Sequence, residues 1–434
     1  MTGNSPDLLI KNIGVLATPV GNCAAGGDGQ SDIQFIENAF ITVKDGVITV
    51  VGSAENLAHI IPGEKTVVID AGGKLVTPGL VDSHTHLVFS GWRQKELSLK
   101  LKGMKYLEIL KMGGGILNTV RNTRKASLDE LVANGMKSLD RMLEHGTTTC
   151  EAKSGYGLNL EDELKSLMAI KEMDRYHPVD VVPTFMGAHA VPEEYRENKK
   201  EYLRLVVEEM IPRVARDKLA EFCDVFCEEG VFDIEESRYI LECGRAHGLV
   251  PKLHADEITP MGGARLAAEV GALSAEHLIY ATDDGIRAMA EAGTIAVLLP
   301  GTSFYLGESF ARARTMIEAG VPVALATDFN PGSSPTESLQ LVMNIACLKY
   351  RMTPEEVLTA VTLNAAAAIN RASITGTIEV GKLADIVIWD APDLDFIFYH
   401  YGVNLVRTVI KKGRVVVQKQ ERQEDQNAAF GVPH

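Results

Sequence analysis

Histidine is scarce in this chain, 11 in 434 residues, and two of them, His84 and His86, stand two apart at the end of the apolar run in "GLVDSHTH". Residues i and i+2 of a strand project from one face, so the spacing predicts two imidazoles side by side. That is how one strand offers two ligands to one metal. His189 in "MGAHA", His254 in "LHADE" and His277 in "SAEHL" each close another apolar run, as does Asp328 in "ATDFNPGSS". Neutral imidazole and carboxylate suit Zn²⁺ or Fe²⁺, and a catalytic ion keeps one position open for water. His84, His86, His254 and Asp328 make a coherent ligand set. Asp328 could instead accept a proton from the bound water. His277 is either a fifth ligand or a hydrogen-bond partner of that water.

Such a set needs strands that end together. Eight β-rich apolar runs follow one another: "KLVTPGLVDSHTH", "TTTCEAKSGYG", "VDVVPTFMGAHA", "FCDVFCEEGVF", "LVPKLHADE", "ALSAEHLIY", "TIAVLLPGTSFYL" and "VPVALATDFNPGSS". Helical stretches separate them, such as the one opened by Ser127 with Glu130 three residues on and ended by Gly146, and another ended by Gly248. Alternation of this kind means parallel pairing with right-handed crossovers, and eight strands close a (β/α)8 barrel, whose chemistry sits at the strand carboxyl ends. The alternative, an open doubly wound sheet, would normally carry a glycine-rich phosphate loop after its first strand, and none is present. Residues 1–75 and 373–434 are β-rich, with "KDG" as a hairpin turn. They are expected to form one small β-sandwich around the barrel of residues 76–372, followed by a polar tail.

The composition excludes several functions. With 43 basic against 58 acidic residues the net charge is -15, which repels nucleic acid and anionic membrane while leaving room for a small anionic substrate beside a local arginine. No apolar run approaches the roughly 18 residues that span a bilayer, and the start lacks a secretory pattern. The six scattered cysteines read as buried free thiols of a reducing cytoplasm. "KMGGGI", residues 111–116, lacks the Lys-Ser/Thr ending of a phosphate loop; it reads instead as a mobile lid.

"PGLVDSHTH", followed downstream by "HADE", "SAEHL" and "ATDFNPGSS", resembles the metal-dependent amidohydrolase superfamily, split terminal sandwich included. "FSGWRQ", "KSGYGL" and "DFNPGSS" narrow the resemblance to members that hydrolyse the cyclic-amide C–N bond of a propionate-bearing imidazolone in histidine degradation. It implies that His84, His86, His254 and Asp328 bind zinc or iron, and that Arg93, Tyr156 and His189 hold the substrate. It also implies that Glu257 and His277 stand near the reacting centre, that Asn330, Gly332 and Ser333 contact substrate or product, and that the protein is a homodimer. Two-metal members use a carboxylated lysine at the end of strand 4, which "FCDVFCEEGVF" lacks, so one ion is expected. Lys153, at the end of strand 2, reads as a supporting residue. The guanidinium fork of Arg93 would pair bidentately with the propionate. Two rival readings are a deaminase acting on a purine or pyrimidine ring and a non-catalytic barrel scaffold.

Overall fold

The computed structural model describes residues 5–104 and 114–419. Strands from both termini build the first sheet: β1 (Leu8–Pro19), β2 (Ile33–Lys44), β3 (Val47–Ser53), β4 (Val67–Asp70) and β5 (Leu75–Pro78) from the N-terminal side. The barrel sheet follows with β6 (Leu80–Asp82), β7 (Thr147–Lys153), β8 (Asp180–Ala188), β9 (Phe222–Cys227), β10 (Val250–Ala255), β11 (Ser274–His277), β12 (Ile295–Leu298) and β13 (Val323–Leu325). The chain then returns to the first sheet with β14 (Ile386–Trp389), β15 (Val406–Lys411) and β16 (Arg414–Gln418).

β6 to β13 pair in sequence order and in parallel. Helices cover them, so both strand faces are buried and the strands read as unbroken apolar runs. The seam between first and last strands closes just beyond their ends. Thr85 bridges Phe329, and His86 N donates to Phe329 O at 2.9 Å. Asp82 accepts from Thr327 N at 3.0 Å and from Thr327 Oγ1 at 2.6 Å. The helices start and stop as the sequence signals: Ser127 and Glu130 form a capping box on Leu128–Glu144, and Asp233 and Glu236 form another on Ile234–Ala246. Gly146 and Gly248 take φ 95° and 87° just past these helices.

The terminal sheet differs in detail from the expected sandwich. It is one continuous mixed path, β16-β15-β14-β5-β1-β2-β3, with β4 also on β1. The reason is β1, which is 12 residues long and pairs with β4 through its first half and β5 through its second. A bulge between Ile10 and Ile13 allows that change of partner. Ile10, Ile41, Val76, Ile386 and Ile410 sit in a core separate from that of the barrel. The hairpin turn at Asp45 and Gly46 has φ of 50° and 79°, two left-handed residues that match the strand twist.

The run "KLVTPGLVDSHTH" proves to be two strands in two sheets. Leu75–Pro78 pairs with β1 and β14, and only Leu80–Asp82 enters the barrel. At Gly79 a Cβ would lie 2.4 Å from Thr148 Oγ1, so only glycine lets the chain cross between the sheets. The chain passes from the first sheet to the barrel sheet at this residue. All six cysteines are free; Cys150, Cys223 and Cys227 are buried, whereas Cys23 is exposed and Cys243 and Cys347 are half-buried.

Candidate metal centre

β6 leads His84 and His86 into the carboxyl end of the barrel, β10 brings His254, and the turn after β13 brings Asp328. All four are buried. Asp328 Oδ1 lies 3.4 Å from His84 Nε2 and 3.5 Å from His86 Nε2, and His254 Nε2 lies 3.4 Å from His86 Nε2. Atoms bound at about 2.1 Å to a tetrahedral ion stand roughly 3.4 Å apart, and these three separations match that spacing. Within 4.8 Å of one another the ligand atoms form two groups that share His84, one with His86 and His254 and one with His277 and Asp328. The tautomers agree. His254 Nδ1 lies 3.1 Å from Asp224 Oδ1 and His84 Nδ1 lies 2.5 Å from Glu276 Oε2. At His254 the carboxylate accepts, so Nδ1 carries the hydrogen and Nε2 turns a lone pair inward; the Glu276 carboxylate against His84 Nδ1 favours the same arrangement there. His84 Nε2 has no hydrogen-bond partner among the described residues, although it is wholly buried. A buried donor set of three imidazoles and a carboxylate has the chemistry of a transition-metal site.

Around this centre the electrostatics separate the groups. Burial alone would raise the Asp328 carboxyl, but His84 and Thr302, whose Oγ1 donates to Asp328 Oδ2 at 2.6 Å, help hold it at about 2. His277 is pushed down to about 3 by burial and by the imidazoles of His254 and His84, so it is neutral. Its Nε2 lies 3.5 Å from Glu257 Oε2. Glu257 moves the other way, to about 8, through burial and the neighbouring Asp328 and Glu228 carboxylates. Glu228 also fastens the loop beside Glu257, accepting from Ile258 N at 2.9 Å. Asp256, His277, Leu278 and Asp328 all have left-handed backbone, φ 49° to 68°, a strained conformation that surrounding contacts must enforce. For Asp328 those contacts are its N–H to His84 O at 3.0 Å and its carbonyl to Asn330 Nδ2 at 2.6 Å.

The remaining residues singled out in the sequence divide. His189 stacks on His86 at 4.8 Å between centroids, with its Nδ1 3.0 Å from Gly155 O, and Tyr156 packs 5.2 Å from His189. Arg93 stands apart from the histidines, against the loop after β13. A Cβ on Gly332 would lie 2.2 Å from Arg93 Nη1. The Nε and Nη2 edge of Arg93 donates to the Glu96 carboxylate at 2.8 to 3.1 Å. Asn330 is engaged in its own loop: Oδ1 accepts from Gly332 N and Ser333 N, each at 2.8 Å, and Nδ2 donates to Ser333 Oγ at 2.8 Å. Of the expected lid, residues 111–113 lie outside the described residues, while Gly115 N donates to Glu96 Oε1 at 2.8 Å.

Sequence reasoning passed over several groups. Glu163 accepts from Gly155 N, Gly157 N and Leu158 N and so shapes the loop that carries Tyr156. Glu151, Asp224, Lys252 and Glu276 join Lys153 in a solvent-free cluster of charges behind the histidines. The signal was there as polar residues inside apolar runs, two apart in "CEAK" and "PKLHA".

Two profiles of the amidohydrolase family match the chain, over residues 251–416 and 67–108. Together with a parallel barrel whose strand ends gather histidines and an aspartate, they define an amidohydrolase. Among solved structures, guanine deaminase from E. coli superposes with a TM-score of 0.72 at 16% identity, covering 95% of this chain and 99% of that one. A zinc-bound adenosine deaminase from Xanthomonas campestris gives 0.69 at 20% identity over 96% and 94%; both likenesses are of fold. The imidazolonepropionase of Alkaliphilus oremlandii is 56% identical over 415 residues, 95% of this chain and 98% of that protein. That of Shouchella clausii is 56% identical over 90% of this chain and 88% of its own. The chain belongs to the imidazolonepropionase family.

Proposed function

We propose that this enzyme hydrolyses the ring C–N bond of 4-imidazolone-5-propionate to give N-formimidoyl-L-glutamate, a step of histidine degradation. The observation that carries the reading is the 56% identity to an imidazolonepropionase across 95% of the chain. His84, His86, His254 and Asp328 would hold one ion, zinc or iron. Such an ion, when bound, acts as a Lewis acid and lowers the pKa of water from 15.7 toward about 7.

The chain's own residues account for the rest. Ionised Glu257 takes the proton from the attacking water and returns it to the departing ring nitrogen; a raised pKa makes the carboxylate the stronger base in the first task while still letting it give the proton up in the second. His277, neutral and 3.5 Å from Glu257, donates to the carbonyl oxygen as negative charge gathers on it. Arg93 binds the propionate with the part of its fork that faces Gly332, while Glu96 holds the opposite edge. Tyr156 and His189 flank the ring, and the backbone around Gly332 and Ser333, shaped by Asn330, lines the far side. We read the protein as a cytoplasmic enzyme, in keeping with a small metabolite as substrate, and as a homodimer. Among the described residues no helix is long and apolar enough to cross a membrane.

The test pairs metal content with turnover. Purified protein carrying one equivalent of zinc or iron should open imidazolonepropionate and leave guanine, cytosine and dihydroorotate untouched. Faster turnover of any of those three would overturn the assignment in favour of the deaminase or dihydroorotase reading.

A further inference from the structure

Behind the candidate ligands, five ionisable side chains are fully shut off from solvent: Glu151, Lys153, Asp224, Lys252 and Glu276. Four of them form a closed ring of alternating charge. Lys153 Nζ lies 2.8 Å from Glu151 Oε2 and 3.0 Å from Glu276 Oε2. Lys252 Nζ lies 2.9 Å from Glu151 Oε1 and 3.1 Å from Glu276 Oε1. Each ammonium therefore spans both carboxylates, and each carboxylate splits its oxygens between the two ammoniums. Asp224 hangs on this ring through Lys153, its Oδ2 2.7 Å from Nζ.

The ring meets the histidines at two points. Glu276 Oε2, the oxygen beside Lys153, is the one 2.5 Å from His84 Nδ1. Asp224, through its other oxygen, reaches His254 Nδ1 at 3.1 Å. A single ammonium thus touches both carboxylates that set the tautomer and direction of two different rings. Buried ion pairs are poor stabilisers, because desolvation offsets their attraction and apolar side chains of similar volume often serve a fold as well. Five charges gathered on the rear faces of two histidines call for a reason other than stability.

We infer that Lys153 is a positioning residue for the metal centre: it holds Glu276 and Asp224 where they fix His84 and His254, so that both Nε2 lone pairs aim at one point. The inference rests on the reading of His84 and His254 as ligands. Without the ammonium, Glu276 and Asp224, whose oxygens come within 4.8 Å of each other and of His254, repel in a low-dielectric interior. One of them must turn away or take a proton, and the imidazole it held loses its anchor. Losing such an outer partner weakens metal binding by about 10–100-fold.

Lys153→Met tests this by removing the charge while keeping most of the volume. Asp224→Asn leaves the four-membered ring in place and loosens the link that runs from Lys153 through Asp224 to His254, so it tests the same path if Lys153→Met fails to fold. Three quantities are read for each: zinc affinity by chelator competition, the visible absorption of the cobalt-substituted protein, and the thermal midpoint of the metal-free protein. Both variants should bind zinc about 10–100-fold more weakly and shift the cobalt bands. Wild-type affinity and wild-type cobalt bands in a folded variant, with only the metal-free midpoint lowered, would reduce Lys153 to a structural role. His84→Ala in the same assay separates the two readings. If it loses zinc while Lys153→Met does not, the inference alone falls; if it keeps zinc, the ligand assignment falls and takes the inference with it.

Discussion

Gly332→Ala is a one-carbon probe of the proposed carboxylate site. Gly332 does not need a left-handed backbone, so alanine fits its conformation; what it meets is Arg93. The new Cβ would stand 2.2 Å from Nη1 and 2.8 Å from Cζ, where ordinary contact begins near 3.4 Å. The guanidinium must therefore retreat by about 1.2 Å. It cannot simply swing aside, because Glu96 grips its far edge with three hydrogen bonds of 2.8 to 3.1 Å and is itself buried. A misplacement of 1 Å in a positioning group costs on the order of 10²-fold, or about 2.7 kcal/mol. Because the propionate lies away from the bond that breaks, most of the loss should fall on KM. Steady-state hydrolysis of imidazolonepropionate, with metal content and thermal midpoint as controls, should show KM up by roughly 10–100-fold, with metal unchanged. Wild-type KM in a fully loaded Gly332→Ala protein would refute the role given to Arg93, since nothing else at that loop faces the new methyl group so closely.

Three further outcomes are expected. Chelation should abolish activity and lower the thermal midpoint, with both restored by one equivalent of Zn²⁺ or Fe²⁺; a midpoint indifferent to metal would count against a cation at the barrel seam. Glu163→Gln places an amide NH₂ among the three backbone N–H groups that the carboxylate accepts, so chemical denaturation should reveal a loss of about 1–3 kcal/mol, with KM raised through Tyr156. His177 is held neutral, its Nδ1 accepting from Val179 N at 3.1 Å, and burial lowers its pKa from the ordinary 6.5. The unfolded chain then binds more protons as pH falls through 6.5, so stability declines there. His177→Asn should flatten that part of the stability profile relative to wild type, and an unchanged slope would contradict it.

What the sequence disclosed was whatever repeats or ends an element. Eight apolar runs, each closing on a polar residue, announced the parallel sheet, and the two-residue step from His84 to His86 announced a pair facing one way. The junction at Gly79 stayed hidden because "KLVTPGL" runs on into "VDSHTH" as one β-rich stretch; nothing local tells that Leu75–Pro78 pairs with β1 and β14 rather than with β7. Glu151, Asp224, Lys252 and Glu276 were hidden for another reason. They sit in short, buried strands, and most of their partners lie on other strands, as with the 71 positions between Lys153 and Asp224. Glu96 stands in "QKELSLK", where no local pattern sets it apart, yet it is buried against Arg93 and Gly115. Asn330, expected to touch substrate or product, also has a part that the sequence did not show: its amide makes the turn that carries Asp328.

The barrel's closing seam sets a timetable for the protein. His84 and His86 emerge early from the ribosome and Asp328 late; Asp82 and Thr327, which lace the seam together, are 245 positions apart. Until residues past 330 have been made and the eighth strand has docked on the first, the cavity lacks a wall and the carboxylate proposed as a ligand. Nascent chains and C-terminally truncated products should therefore stay empty, and loading becomes a step that follows synthesis. Contacts of such sequence separation form slowly. A cation gripping both sides of the join would act as a clasp, retarding the reopening that exposes the interior to proteases.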